Sequence, residues 1–188
     1  MPSLTPFSTV GPFFRLLVRH RAAGADCLVS EATRGERIRV DGRLLDGNGA
    51  SVDDGLVEIW QADADGRYPQ HDGPQDAVAD PVFTGFGRAA TAHGGAFSFQ
   101  TIKPGAVRGP DGRMQAPHIL VSVMGRGVMS RCWTRLYFDG NPLNDTDQIL
   151  QLVPPDRRGT LIACRREDGV YEFDIVLQGQ RETVFFDA

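Results

Sequence analysis

The sequence predicts an all-β protein: an antiparallel β-sandwich with long irregular loops and at most one or two short helices. Three observations predict it. Eight short runs rich in β-branched and aromatic residues succeed one another along the chain, several alternating apolar and polar residues with the period of two of a half-buried strand. The 22 glycines and 12 prolines among 188 residues favour many turns over long helices. Turn pairs such as Asp46-Gly47, Asp139-Gly140 and Asp168-Gly169 fall between those runs.

Residues 1–20 read as an irregular arm. Ser8-Thr9-Val10-Gly11-Pro12 precedes the aromatic pair Phe13-Phe14. Pro12 biases Gly11 away from the α region, and a glycine lets the backbone come close to another group. The arm is expected to be anchored in a core by Phe13 and Phe14; the sharper reading is an arm that lines a site.

Residues 37–45 alternate as a strand and meet the Asp46-Gly47-Asn48-Gly49 turn, and 57–62 follow as a second strand expected to pair antiparallel with the first. Asp63, Asp65 and Gly66 resemble the opening of a calcium loop. The glycine comes too early and no bidentate glutamate is in place, so a turn is expected. The irregular segment 67–86, with His71, Gly73, Pro74 and Pro81, is long enough to suggest a functional or interface loop. Residues 87–91 and 96–101 flank His93-Gly94-Gly95 as a hairpin with His93 exposed. Residues 144–153 are the one short helix, while 160–164 and 171–177 form a last hairpin across Glu167-Asp168-Gly169. The tail Thr183-Val184-Phe185-Phe186 is apolar and expected to dock on the body or a partner.

At 20.5 kDa the chain fits one domain, 1–188, able to bury about two-thirds of its unfolded surface. Hydrophobic residues at 41% and a mean hydropathy of -0.25 describe a soluble globular protein, and the net charge of -4 lacks the basic footprint of a nucleic-acid binder. Arg157-Arg158 and Arg165-Arg166 read as solvated surface. Cys27, Cys132 and Cys164 fit neither a zinc motif nor a disulfide framework, so reduced thiols in a cytoplasmic protein are expected. The N-terminus lacks the pattern of a signal peptide, and no apolar run is long enough to span a membrane.

The stretch 102–138 concentrates the functional interest. It joins a Gly- and Pro-rich loop, a strand-like run from His118, the Gly125-Arg126-Gly127 tip and a second strand-like run. Side chains two apart share a strand face. A second histidine at position 120 would complete a His-x-His metal clamp with His118, but Leu120 stands there. His118 reads as a partly buried strand histidine.

Several segments read together carry a resemblance. Val57-Glu58-Ile59-Trp60-Gln61-Ala62-Asp63, Gly66-Arg67-Tyr68, Gly87-Arg88, Thr101-Ile102-Lys103-Pro104-Gly105, Ala116-Pro117-His118-Ile119 and Thr134-Arg135-Leu136-Tyr137-Phe138 resemble the intradiol ring-cleavage dioxygenases, over most of the chain from Thr9 to Phe186. The resemblance implies an activity that cleaves a catechol between its hydroxyls with O2, at a non-haem Fe(III) held by two tyrosines and two histidines. Phenolate suits ferric iron because a hard anionic oxygen stabilises the higher charge.

Within the family the match is to members built from two homologous chains, α and β, of which β alone carries the metal. On that resemblance the tyrosine position after Lys-Pro-Gly is Val107, and the histidine pair falls on His118 and Leu120. A substrate-supporting arginine falls on Gln115. The second tyrosine belongs near Pro74, where none occurs, and Tyr68 lies in a Gly-Arg-Tyr that both chain types share. The chain is therefore expected to be an α subunit, inactive alone and without metal, its partner a homologous β subunit holding the Fe(III). The resemblance further implies that Thr9, Gly11 and Pro12 of the arm, and Arg126, reach the partner's pocket, where an aromatic carboxylate binds. In isolation Arg126 reads as a solvated turn residue. Two other readings stand beside this one: a self-sufficient intradiol dioxygenase with its own iron, and a non-enzymatic β-sandwich binding module.

Overall fold

The computed structural model describes residues 8–14, 16, 24–69, 80, 82–129 and 131–186. Two layers of strands enclose the core. The first runs in the order β3 (Phe86–Ala90), β2 (Leu56–Gln61), β7 (His118–Met124), β8 (Cys132–Phe138), antiparallel throughout. The second places β1 (Arg37–Leu45) between antiparallel β4 (Ala96–Ile102) on one edge and the parallel strands β10 (Tyr171–Glu172) and β11 (Ile175–Val176) on the other. Strand β9 (Ile162–Arg165) links the layers, parallel to β8 and antiparallel to β10, so the sheet is nearly closed. Val40, Leu44, Phe97 and Phe99 from one layer face Val57, Ile59, Val121, Val123 and Leu136 from the other. A short ribbon of β5 (Val107–Arg108) and β6 (Met114–Gln115) stands apart. The all-β class is borne out.

Two expected pairings are not formed. β1 and β2 do not pair as strands, although an isolated bridge joins Leu45 to Ser51. β2 is buried on nearly every residue, which suits a strand enclosed between β3 and β7. β3 and β4 do not form a hairpin either: the 3-10 turn His93–Gly95 carries the chain from one layer to the other. Gly95 permits this crossing. Its φ is +71°, and a Cβ there would lie 2.4 Å from Leu44 O. His93 is exposed, as expected.

The last hairpin forms between β9 and β10, but the strand expected over 171–177 is interrupted. Phe173 O sits where a Cβ on Gly42 would be, 2.0 Å away. Asp174 Oδ1 then accepts the Arg43 N–H at 2.9 Å, replacing a backbone acceptor. The expected helix also splits, into a 3-10 turn Pro142–Asp145 and α1 (Gln148–Leu152). Each has its own cap: Asn141 Oδ1 accepts from Leu143 N at 3.0 Å, and Asp147 Oδ1 accepts from Leu150 N at 2.8 Å.

Other expectations divide. Asp63 makes a turn, its Oδ1 accepting from Asp65 N and Arg67 N, both at 2.9 Å. The tail docks on the body through Phe186 N to Trp133 O (2.8 Å) and Thr134 Oγ1 to Val184 O (2.7 Å). Arg157 and Arg158 are not simply solvated. They donate to Glu182 O (2.7 Å) and Val153 O (2.9 Å), tying the tail and the end of α1 to the loop between them. Phe14 packs beside Leu56 and Met124, but Phe13 is 70% exposed and anchors nothing in the core. None of the three cysteines is joined in a disulfide. No helix among the described residues is long and apolar enough to cross a membrane. The part of the 67–86 loop around Pro74 lies outside the described residues.

Candidate functional site

The positions that the resemblance matches to metal ligands lie on the outer face of the first layer and on the β5–β6 ribbon. His118 opens β7 and is 1% exposed. Its Nδ1 lies 2.7 Å from Ala116 O, a group that can only accept, so Nδ1 carries the proton. Nε2 is then the acceptor in the neutral ring and takes the Tyr68 hydroxyl at 3.3 Å. Burial, aided by the Arg135 guanidinium, lowers the His118 pKa to about 4, so the ring is neutral at pH 7. Tyr68 is fixed by stacking on Trp60, ring centroids 5.9 Å apart.

The surroundings of His118 form a protein network rather than a ligand set. Leu120 lies opposite Arg135 in register. Arg135 Nη1 donates to Gln115 Oε1 at 2.9 Å and reaches Tyr137 OH at 3.5 Å, and Tyr137 donates to Asp147 Oδ1 at 3.0 Å. Burial raises the Tyr137 phenol above its ordinary pKa and keeps it protonated. Val107 lines a cleft of about 430 Å³ with Tyr68, Arg108 and Met114. Among the described residues no three His, Cys, Asp or Glu side chains gather into a metal-binding group. Among the described residues, ferric iron does not fit here. Two aliphatic side chains supply no donor, both nitrogens of His118 are committed, and a guanidinium stands beside them.

The second place is the turn after β7. Thr9 Oγ1 accepts the Gly127 N–H at 2.7 Å and faces Gly125 O at 3.4 Å, so the arm is hydrogen-bonded to the backbone on both sides of Arg126. Gly127, at φ +84°, permits the tight tip. The Arg126 side chain is 76% exposed, and its Nη2 lies 3.0 Å from Asp54 Oδ2. Arg126 and Asp54 border an open cleft of about 630 Å³ that also touches Asp53, Cys132 and Gln178. The structure thus brings together Thr9 and Arg126, 117 positions apart in sequence. Gly11 and Pro12 follow Thr9 in the exposed arm, and a Cβ on Gly11 would meet nothing within 4 Å. Asp54 escaped the sequence reading because an Asp-Asp-Gly triplet signals only a turn.

Comparison with known proteins bears directly on this geometry. A family model described as "Dioxygenase" matches residues 10–179. The chain belongs to the dioxygenase family. The family is one of non-haem iron enzymes, and the intradiol resemblance read from the motifs is borne out. This dioxygenase chain is 39% identical to the protocatechuate 3,4-dioxygenase alpha chain of Burkholderia cepacia, over 98% of this chain and 97% of that one. It is 44% identical to the beta chain from the same organism, over 79% of this chain and 67% of that one. Among solved structures it is similar to the dioxygenase domain of a dioxygenase carbohydrate-binding fusion from Streptomyces sp. SirexAA-E, with a TM-score of 0.63 at 26% identity, covering 95% and 94% of the two chains.

Proposed function

We propose that this chain is the α subunit of a protocatechuate 3,4-dioxygenase. With a homologous β subunit that holds the Fe(III), it would use O2 to open protocatechuate between its hydroxyls, giving 3-carboxy-cis,cis-muconate. The observation that carries the reading is the end-to-end similarity to an alpha chain. The chemistry of the ligand positions supports it, since Val107, His118 and Leu120 offer no free donor to iron. The lack of a disulfide among Cys27, Cys132 and Cys164 suits a cytoplasmic enzyme.

In this reading the chain contributes the rim of the partner's pocket. Arg126 projects a permanent cation that attracts and orients the ring carboxylate, and its planar fork suits that group better than a point charge. Thr9 keeps the arm on the same turn, so Gly11 and Pro12 extend from a fixed origin and narrow the pocket against water. The redox chemistry belongs to the iron of the partner and to the substrate.

Two experiments test the reading. Expressed singly, the chain should bind no stoichiometric iron and show no colour of a ferric tyrosinate. Co-expressed with a β chain, it should form a complex that consumes O2 on protocatechuate. Iron held by this chain's own side chains would overturn the assignment. In the assembled enzyme, Arg126→Ala should raise KM for protocatechuate about tenfold, the scale of a lost hydrogen bond to a charged group. Unchanged steady-state kinetics would remove Arg126 from the site.

A further inference from the structure

Asp54 stands in the Asp53-Asp54-Gly55 turn that leads into β2, and this turn is tied to the body on both sides. Gly55 N donates to Thr91 Oγ1 at 2.8 Å, and the same hydroxyl donates to Val52 O at 2.6 Å. Asp53 Oδ1 accepts from Gly95 N at 2.8 Å. Thr91 is 2% exposed, so the anchor is internal. The Asp54 side chain is 19% exposed. Arg126 is its opposite: 76% exposed, on a tip between two glycines. A carboxylate on a fixed turn therefore holds a cation that the tip alone leaves free to swing.

We propose that Asp54 is a positioning residue for Arg126, fixing the guanidinium so that its remaining N–H groups meet the ring carboxylate of the substrate. The proposal rests on the role given to Arg126 above. A guanidinium carries five N–H donors in one rigid plane. Its Nη2 lies 3.0 Å from Asp54 Oδ2 in an ion pair, which holds the guanidinium against the fixed turn and leaves donors for an incoming carboxylate. Holding that plane in advance removes part of the ordering cost of binding. The opposite effect is also physical: Asp54 could compete with the substrate for the cation. The two differ in sign. Positioning makes loss of Asp54 raise KM for a carboxylated catechol, whereas competition makes it lower KM.

The test is steady-state kinetics of the assembled α/β enzyme, with protocatechuate and with catechol, which lacks the carboxylate. Asp54→Ala should raise KM for protocatechuate about threefold to fivefold, the range of an exposed ion pair, with kcat within about twofold. Catechol turnover should not change, Asp54→Glu should recover part of the loss, and Asp54→Ala should add nothing in an Arg126→Ala background. A lowered KM, or an equal change for both substrates, overturns the proposal. If Arg126→Ala leaves protocatechuate kinetics untouched, the role of Arg126 falls and the role of Asp54 with it. A strong Arg126→Ala effect beside a silent Asp54→Ala overturns the Asp54 proposal alone.

Discussion

Asp147→Ala is expected to destabilise the chain by about 3–5 kcal/mol, because one buried carboxylate serves three donors from three parts of the fold. Asp147 is fully buried. Its Oδ2 accepts from Ala116 N at 2.8 Å, and its Oδ1 accepts from Tyr137 OH at 3.0 Å and from Leu150 N at 2.8 Å. Alanine would strand all three. The Leu150 amide would lose its cap in the first turn of α1, an effect of about 1 kcal/mol by itself. The Ala116 N–H and the Tyr137 hydroxyl would remain buried without acceptors, at about 1–3 kcal/mol each before relaxation. Asp147→Asn should recover little despite its shape, since its amide NH2 must face a donor on one side or the other. Urea unfolding of the three proteins measures the effect, and a loss below about 1 kcal/mol for Asp147→Ala would show that other groups take over the three donors.

That network also shows where a sequence stops being readable. Strand positions were legible because each run carries its signal locally: 37–45 alternates, 118–123 is dominated by β-branched and apolar residues, and glycine-containing turns close them. Partner choice was not. Neighbourhood in sequence suggested β1 with β2 and β3 with β4, but the two-layer arrangement depends on burial across the whole molecule, which no window of ten residues contains. The break at 173–174 likewise needs Gly42 and Asp174 together, 132 positions apart.

The site divides in the same way. Val107 and Leu120 were legible as missing donors, since an aliphatic side chain cannot bind iron in any conformation. Thr9 and Arg126 came from resemblance to a family, and the structure adds that Thr9 is hydrogen-bonded to the turn that carries Arg126. Asp54 had no signal, because an aspartate before a glycine is ordinary turn chemistry until a guanidinium is found beside it. Phe13 misled for a related reason: aromatic character marks a residue that can be buried, not one that is.

His118 should make the stability of the chain fall by about 3 kcal/mol as pH drops from about 6.5 to about 4, in addition to any loss from carboxylates. In the unfolded chain its imidazole titrates near 6.5, whereas in the fold the value is about 4, set by burial first and by Arg135 second. Above 6.5 the ring is neutral in both states and contributes no slope. Between the two values the unfolded chain binds a proton that the folded chain refuses, so stability rises with pH by about 1.4 kcal/mol per unit and is lost as pH falls. The neutral form is built in: Nδ1–H donates to Ala116 O, Nε2 accepts from Tyr68, and a second ring proton would meet the Tyr68 hydroxyl with Arg135 nearby. The carboxylates held below their ordinary value, among them Asp41, Asp80 and Asp168, act in a lower window, under about pH 4, so the two effects separate on the pH axis. His118→Gln keeps a polar side chain but cannot titrate. Urea midpoints of the two proteins from pH 4 to 7.5 should show a slope in the parent that is smaller by about one proton in the variant; parallel curves would mean that His118 is not the group that resists protonation.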